Sequence, residues 1–370
     1  MSTGAAILIA GITLIVLLLG GLYIHSMLLA VGIVGIIALG KSALLSGLLS
    51  YTTFTTVATY SMTTIPLYVL CAQLILEAGV VEDLFNILYN ISKGRKGVLG
   101  TFCCILGAFL GAVCGSGTAT SAALGQAAYP QLVKRGYSSD LAAATSASAG
   151  SLAGIIPPSV TIIVYGITTE TPIGRMFVAS LIPGILTTLV FIGCNLFFLN
   201  REGKNKPVET FKPVHVDRKN AIVSITVACI IAITIFGGIY SGFMTATEAG
   251  AVSATVAFIC ALCLKKVTKD FLIRSAKSTV NITAMVMLIM IGAKIFGKFM
   301  SLSKVSDAFV ELLQPLMSQP KIILCICILV YFILFMLMEG TAVIVMTTPV
   351  LLPVMQQMNV DLLWFGIIVC

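Results

Sequence analysis

The stretch GAFLGAVCGSGTATSAALGQAAYPQLVKRGYSSDLAAATSASAGSLAGIIPPSVTIIVYG, Gly107 to Gly166, decides the fold. It is apolar enough to lie in a bilayer, yet it carries two features that a simple spanning helix avoids. Gly115-Ser116-Gly117-Thr118 is a break, and Pro157-Pro158 interrupts an otherwise continuous hydrophobic run. Irregular backbone is tolerated at membrane depth only where protein or a water-filled cavity satisfies its polar groups. Two breaks within one 60-residue stretch mark a candidate site, and the rest of the chain reads as what holds it.

The composition agrees. The chain is 58% apolar and 10% charged over 370 residues, where a soluble domain carries roughly 25% charged residues. It reads as an all-α, polytopic membrane protein. The net charge of +8 does not point to nucleic acid, because of where it sits. Sixteen of the 22 lysines and arginines fall in four segments: Lys93 to Lys96, Lys134-Arg135, Arg201 to Lys219 and Lys265 to Lys277. That is the positive-inside pattern, so all four are expected on the cytoplasmic side. The eleven cysteines lie mostly in apolar runs. Cys260-Ala-Leu-Cys263 has metal-motif spacing but no second pair beside it, so small packing residues are the better reading. Neither histidine, His25 nor His215, has an acid or thiol beside it in sequence. No constellation supports an enzyme.

Ala5 to Tyr23 lacks the basic start of a signal peptide and reads as a retained helix. Spans are expected at about 5–23, 26–43 and 65–80, with a Thr-rich interfacial arm from Ser46 to Thr64. Residues 1–64 thus form scaffold helices and an arm, and 65–170 form the first set of transport elements. Within the latter, 98–133 has basic residues at both ends. Each arm of ~15 residues reaches ~22 Å at 1.5 Å per residue, which is too short to span. It reads as a re-entrant hairpin with its tip at mid-membrane. Gly107, Gly111 and Gly115 share one helix face and permit close backbone approach. Ser138-Ser139-Asp140 offers N-caps for a helix of Ala, Ser, Thr and Gly that Pro157-Pro158 breaks, giving a broken helix over 139–166. The proline break is expected to leave carbonyls near Gly154 and Ile155 without helical partners. Thr168 to Arg175 is expected as an outer loop. Residues 171–220 hold a returning span, 176–199, and a cytoplasmic loop, Asn200 to Asn220.

The second half repeats the first. Residues 221–277 supply spans 221–240 and 246–264 and a basic arm, 265–277. Thr247-Glu248 reads as an N-cap with an acid favoured by the helix dipole. Residues 278–370 supply a span, 282–300, and a second hairpin at about 321–357. Val305-Ser-Asp307-Ala-Phe309 echoes Val81-Glu-Asp83-Leu-Phe85 at an offset of 224. Thr118-Ala119 precedes Pro130, and Thr341-Ala342 precedes Pro353, by the same 12-residue step at an offset of 223. Two anchors agreeing to one residue argue for an internal repeat. The first hairpin opens inward and the second follows one further crossing. The repeats are therefore inverted, each with a re-entrant hairpin and a broken helix, the second one cut short. Secondary transporters use this plan, with the site at the midplane interface.

At the first tip, Ser116 can cap the half-helix that starts at Gly117, whose free amides suit an anion. The half-helix arriving at Cys114 ends in carbonyls, which suit a cation. Oxygen ligands on broken helices suit Na⁺. The candidate ion site comprises Cys114, Ser116, Gly117, Thr118, Ser151, Gly154 and Pro157, with Glu339, Gly340 and Thr341 at the second tip. Candidate substrate contacts are Thr118, Thr120, Ser159 and Thr341. No phosphate loop is present, since no Gly-Lys-Ser/Thr follows. Glu339 is an intramembrane carboxylate and so a functional candidate; ion binding, proton carriage and capping of the Gly340 helix all remain open. Lys294 lies inside a span, where it can snorkel or pair with a carboxylate.

With these motifs the chain resembles the large membrane subunit of tripartite ATP-independent periplasmic (TRAP) transporters, the DctM family. The matching stretches are GSGTATSAALG, GIIPPSVTIIVYGITTETPIGRMFVASLIPG, Gly242 to Glu248, and EGTAVIVMTTPVLLPVMQQMNVDLLWFG. The resemblance implies an elevator-type importer with Na⁺ as coupling ion and no other cofactor. It also implies a small four-helix membrane subunit and a periplasmic substrate-binding protein as partners. The implied location is a bacterial inner membrane, and the implied cargo is an organic anion such as a dicarboxylate, sialic acid or another sugar acid. The family continues past the second hairpin through a second Pro-Pro helix. By resemblance the second half is incomplete at Cys370, and the 370-residue chain alone is expected not to transport. The alternatives are a one-component Na⁺/dicarboxylate carrier of related fold and a channel subunit.

Overall fold

The computed structural model describes residues 3–93, 95–201, 213–214, 218–316 and 319–370. Every regular element among them is helical. The order is α1 (Thr3–Leu19), α2 (Ile24–Ala38), α3 (Leu44–Val57), α4 (Thr64–Glu77), α5 (Val80–Ser92), α6 (Lys96–Cys114), α7 (Gly117–Ala127), α8 (Tyr129–Lys134) and α9 (Ser139–Ser151). There follow α10 (Val160–Thr169), α11 (Ile173–Arg201), α12 (Arg218–Tyr240), α13 (Ala246–Cys263), α14 (Lys269–Leu302), α15 (Val305–Leu313), α16 (Pro320–Leu337), α17 (Gly340–Gln357) and α18 (Leu362–Val369). Most of the expected loop Asn200 to Asn220, His215 included, lies outside the described residues.

Among the described residues, five helices are long and apolar enough to cross a membrane: Ile173–Arg201, Ala221–Tyr240, Ala246–Cys263, Lys269–Leu302 and Gly340–Gln357. A sixth arises if Leu44–Val57 and Tyr60–Glu77, bent by 57°, count as one. That bend lies where the interfacial arm is expected to turn into the next span. The α11 face carrying Ile182, Leu186, Leu189 and Val190 is exposed. An apolar stripe of that extent suits lipid and not water.

The helices sort into two compact units. The first holds residues 1–63, 164–172 and 281–370. In it, α2 packs on α14 through glycines. A methyl group added at Gly32 would lie 2.9 Å from the Phe296 nitrogen, and one at Gly292 would lie 2.7 Å from the His25 carbonyl oxygen. His25 sits in the first turn of α2 and stacks on Tyr23 at 5.6 Å. In the same unit, Tyr331 on α16 meets the Thr347 hydroxyl on α17 at 2.6 Å.

The second unit holds residues 64–163 and 173–280. Here α4 packs against α13, and the buried Thr64 and Thr247 hydroxyls lie 2.7 Å apart. The cap of α13 falls two residues earlier than expected. Thr245, not Thr247, accepts from the Glu248 amide at 3.3 Å, and Glu248 accepts from the Thr245 amide at 2.7 Å. The two form a full capping box, which satisfies two orphan donors at once.

Three boundaries differ from expectation. The first helix stops at Leu19 and not Tyr23, and the second at Ala38 and not 43. In each case a glycine with positive φ follows, Gly21 at +71° and Gly40 at +71°, and such residues end helices cheaply. The basic arm and the following span, expected as separate pieces, are one 34-residue helix, α14. Nothing between Lys269 and Met290 is Gly or Pro, so nothing local stops it.

Element ends also repeat at the offset of 223. The residues closing α6 and α16 are Gly115 and Met338, those capping α7 and α17 are Ser116 and Glu339, and those capping α9 and α18 are Ser138 and Asp361.

The α2–α14 contact generates a test. Gly32→Val should destabilise the protein by about 1–3 kcal/mol, the usual cost of overpacking, and lower its thermal midpoint in detergent. Gly11→Ala, where a methyl group meets nothing within 4 Å, should leave the midpoint in place.

Candidate functional site

The site is built on α6. Its glycines at 107 and 111, with the C-cap Gly115, present one bare face to α9 and the break that follows it. A methyl group at Gly107 would collide with the Ala149 carbonyl, and one at Gly111 would lie 2.9 Å from the Ala153 Cα. At Gly115 it would lie 2.5 Å from the Pro158 carbonyl oxygen. The partners advance with the glycines, so α6 runs alongside α9 and its break in the same direction. The arm that follows runs the other way. Gly117 faces the Gly150–Gly154 region, the Ser121 hydroxyl donates to the Ala147 carbonyl at 3.3 Å, and the Tyr129 and Ser139 hydroxyls lie 2.9 Å apart. The chain therefore reverses at Gly115-Ser116, and both arms clasp α9.

The feet of this hairpin stand side by side. Tyr137 donates to the Lys96 carbonyl at 2.9 Å and reaches Asn195 Oδ1 on α11 at 3.2 Å. Asn195 Nδ2 donates in turn to Thr145 on α9 at 2.6 Å. Arg135, one of the basic flanking residues, is buried, with its guanidinium on the Tyr89 hydroxyl and ring. The chain thus enters and leaves the hairpin at one end.

At the tip, Gly115 adopts φ +64°, the left-handed region that favours glycine. Ser116 is extended, and its hydroxyl accepts from the Ala119 amide at 3.4 Å, making it the N-cap of α7. Thr118 Oγ1 lies 3.1 Å from Ser116 Oγ. The Gly117 and Thr118 amides belong to the first turn, which has no intrahelical acceptors. The Gly115 carbonyl is used: it accepts from the Val160 amide at 2.9 Å. That bond joins the hairpin tip to the start of α10, just past Pro157-Pro158.

The broken helix is also as expected in place, but not in its free carbonyls. α9 ends at Ser151, a 3₁₀ turn covers Leu152–Gly154, and α10 begins at Val160. The Gly154 carbonyl, expected to lose its partner, accepts from the Ser159 hydroxyl at 2.5 Å. Ser159 also accepts from the Ile162 amide at 3.4 Å, so it caps α10. This buried side chain holds the break together. Ser151 is exposed and donates to the Ser148 carbonyl at 2.8 Å. Pro157 is buried. The Cys114 side chain lies outside the described set; its backbone closes α6. Thr120 is fully buried, and its hydroxyl has no hydrogen-bond partner among the described residues.

The first break and the proline break thus come together within one unit. What they offer a small cation is hydroxyl oxygen from Ser116 and Thr118 at the accessible tip. Glu339, Gly340 and Thr341 belong to the other unit. There Glu339 accepts from the Ala342 amide at 3.3 Å and from the Thr341 hydroxyl at 3.0 Å, the position of an N-cap on α17. Capping is therefore the role the geometry gives it. Thr341 is buried.

Sequence reasoning missed Asn195, Arg135 and the structural use of Ser159. Asn195 is the polar residue in the run FIGCNLFFL, which was the available signal.

Comparison with known proteins supplies the family. The model described as "Tripartite ATP-independent periplasmic transporter, DctM component" matches residues 12–370. The isethionate TRAP transporter permease protein DctMQ of Oleidesulfovibrio alaskensis is 29% identical over 85% of the chain, which spans 49% of that relative. The sialic acid TRAP transporter large permease protein SiaM of Vibrio cholerae is 28% identical over 83% of the chain and 72% of its own length. The C4-dicarboxylate TRAP transporter large permease protein DctM of Pseudomonas aeruginosa is 28% identical over 85% and 73%. The crystal structure of the Alcanivorax borkumensis YdaH transporter superposes with a TM-score of 0.66 at 13% identity, over 89% of this chain and 76% of that one. At that identity the likeness concerns the fold.

The Ser159 geometry predicts a stability difference. Ser159→Ala strands a half-buried carbonyl and should cost about 1 kcal/mol, read as a lower unfolding midpoint. Thr118→Ala, on the exposed tip, should stay within about 0.5 kcal/mol. Equal midpoints for the two would remove Ser159 from the joint.

Proposed function

The chain belongs to the DctM family of tripartite ATP-independent periplasmic transporters, and we propose that it acts as the large membrane subunit of a Na⁺-coupled importer of an organic anion. The observation that carries this reading is the bond between Gly115 and Val160. It joins a hairpin tip to a broken helix, the arrangement by which secondary transporters place ion and substrate between half-helix ends. The relatives named for isethionate, sialic acid, 2,3-diketo-L-gulonate and C4-dicarboxylates all take organic acids, so an organic acid is the proposed cargo.

In this reading Ser116 and Thr118 supply oxygen to Na⁺, together with backbone at Cys114, Gly117, Gly154 and Pro157 and the Ser151 hydroxyl. Thr118, Thr120 and Ser159 face the cargo from the first tip. Of these, Thr120 has a buried hydroxyl to spare, while Ser159 acts by holding the break in shape. Glu339, Gly340 and Thr341 form the second tip, with the carboxylate capping α17. The common offset of 223 between the element ends supports two repeats. Their inversion and an elevator movement of the hairpins are part of the proposal. So are a bacterial inner-membrane location, a small four-helix subunit and a periplasmic binding protein that delivers the cargo.

The test is uptake into proteoliposomes by the complete transporter with its binding protein. A Na⁺ gradient should drive saturable uptake of an organic acid, and omitting the binding protein should abolish it. Uptake that ignores Na⁺ would overturn the coupling, and uptake without the binding protein would favour a one-component carrier. Ser116→Ala and Thr118→Ala should raise the Na⁺ concentration for half-maximal uptake several-fold; an unchanged value in both misplaces the ion site.

A further inference from the structure

Six lysines and arginines fall outside the four basic segments, and two of them, Lys294 and Lys298, sit one turn apart on α14. Residues at that spacing share a helix face. Their face lines a cavity of about 290 Å³ that also takes in Thr348 and Pro349 of α17 and Thr168 at the end of α10, all within the first unit. No acidic residue lines it. Among the described residues neither lysine has an ion-pair partner. The Thr168 and Thr348 hydroxyls donate to carbonyls of their own helices at 2.8 Å and 2.5 Å. The remaining polar residues of the lining, Lys294, Lys298 and Ser301, are all exposed.

An ammonium group on a membrane-spanning helix is costly and marks function by default. Two on one face, with no acid to neutralise either, repel each other until an anion enters. The remaining wall includes Met290, Ala293, Val345 and Leu352. Apolar walls lower the local dielectric and strengthen the attraction for an anion between the lysines. In the expected orientation the cavity lies toward the outer surface. Thr168 opens the expected outer loop, and Lys294 lies ~37 Å along α14 from its basic start at 1.5 Å per residue.

We infer that this cavity binds a carboxylate or phosphate group between Lys294 and Lys298. Two sources carry such a group: an organic acid on its way in, and the headgroup of an anionic lipid. The first source rests on the proposed import function; the charge of the cavity does not.

The experiment uses the complete transporter, either wild type or with Lys294→Gln and Lys298→Gln together. Lys304→Gln, outside the cavity lining, removes equal charge elsewhere. Three probes are measured: succinate and inorganic phosphate by calorimetry, and phosphatidylglycerol against phosphatidylcholine by retained adducts in native mass spectrometry. The double variant should bind at least one anionic probe tenfold more weakly, while Lys304→Gln binds as wild type. Loss confined to phosphatidylglycerol identifies a lipid site, and loss of succinate or phosphate identifies a site for a free anion. Wild-type protein that binds no probe, or a double variant that binds them unchanged, overturns the inference. Lys294→Arg with Lys298→Arg keeps the charge and should keep binding, so a double Gln variant that fails to fold does not end the test. Na⁺-driven uptake is recorded in the same preparations. Uptake intact with binding unchanged removes this site alone, and uptake absent with binding lost in the variant removes the import reading alone.

Discussion

The bond from the Val160 amide to the Gly115 carbonyl is the constraint on which the site depends. Each break opens backbone groups that a bilayer cannot satisfy. Bringing the breaks together lets one supply the donor and the other the acceptor. That requires the two backbones to approach until no Cβ fits between Gly115 and Pro158, and the same approach is prepared lower down by Gly107 and Gly111. The glycines of α6 and the proline break after α9 are therefore one feature seen in two places.

This is why much of the first half could be read in advance. A glycine every four residues, a Gly-Ser-Gly break, basic flanks and a Pro-Pro pair each have a local physical meaning, and they agree. Ser116 and Ser138 are caps because short acceptors at helix starts satisfy the free amides of the first turn. What could not be read is whatever depends on partners distant in sequence. Asn195 meets Tyr137 and Thr145 across 58 and 50 positions, and nothing local names those partners. Arg135 counted in sequence only as a basic flank of the hairpin; its burial against Tyr89 on α5 joins positions 46 apart. Gly154 was expected to keep a bare carbonyl, and the reach of Ser159 back across the prolines supplies the missing donor.

The two tips are alike in position and unlike in chemistry. Ser116 and Glu339 occupy equivalent caps, yet one is neutral and the other carries a carboxylate. A charged cap meets the positive end of its helix more strongly, and Glu339 is further committed to the Thr341 hydroxyl. The two cap bonds are of similar length, 3.4 Å at Ser116 and 3.3 Å at Glu339, so the difference between the tips lies in charge.

The composition of α9 has a thermodynamic consequence. Between Ser139 and Ser151 its side chains are mostly Ala, Gly, Ser and Thr. Ala and Gly have no rotamers to lose when they are ordered. The clasp of the hairpin around α9 is therefore assembled at almost no cost in side-chain entropy. In a bilayer, where apolar burial gains nothing between helices, that saving lets weak dispersion contacts hold the joint.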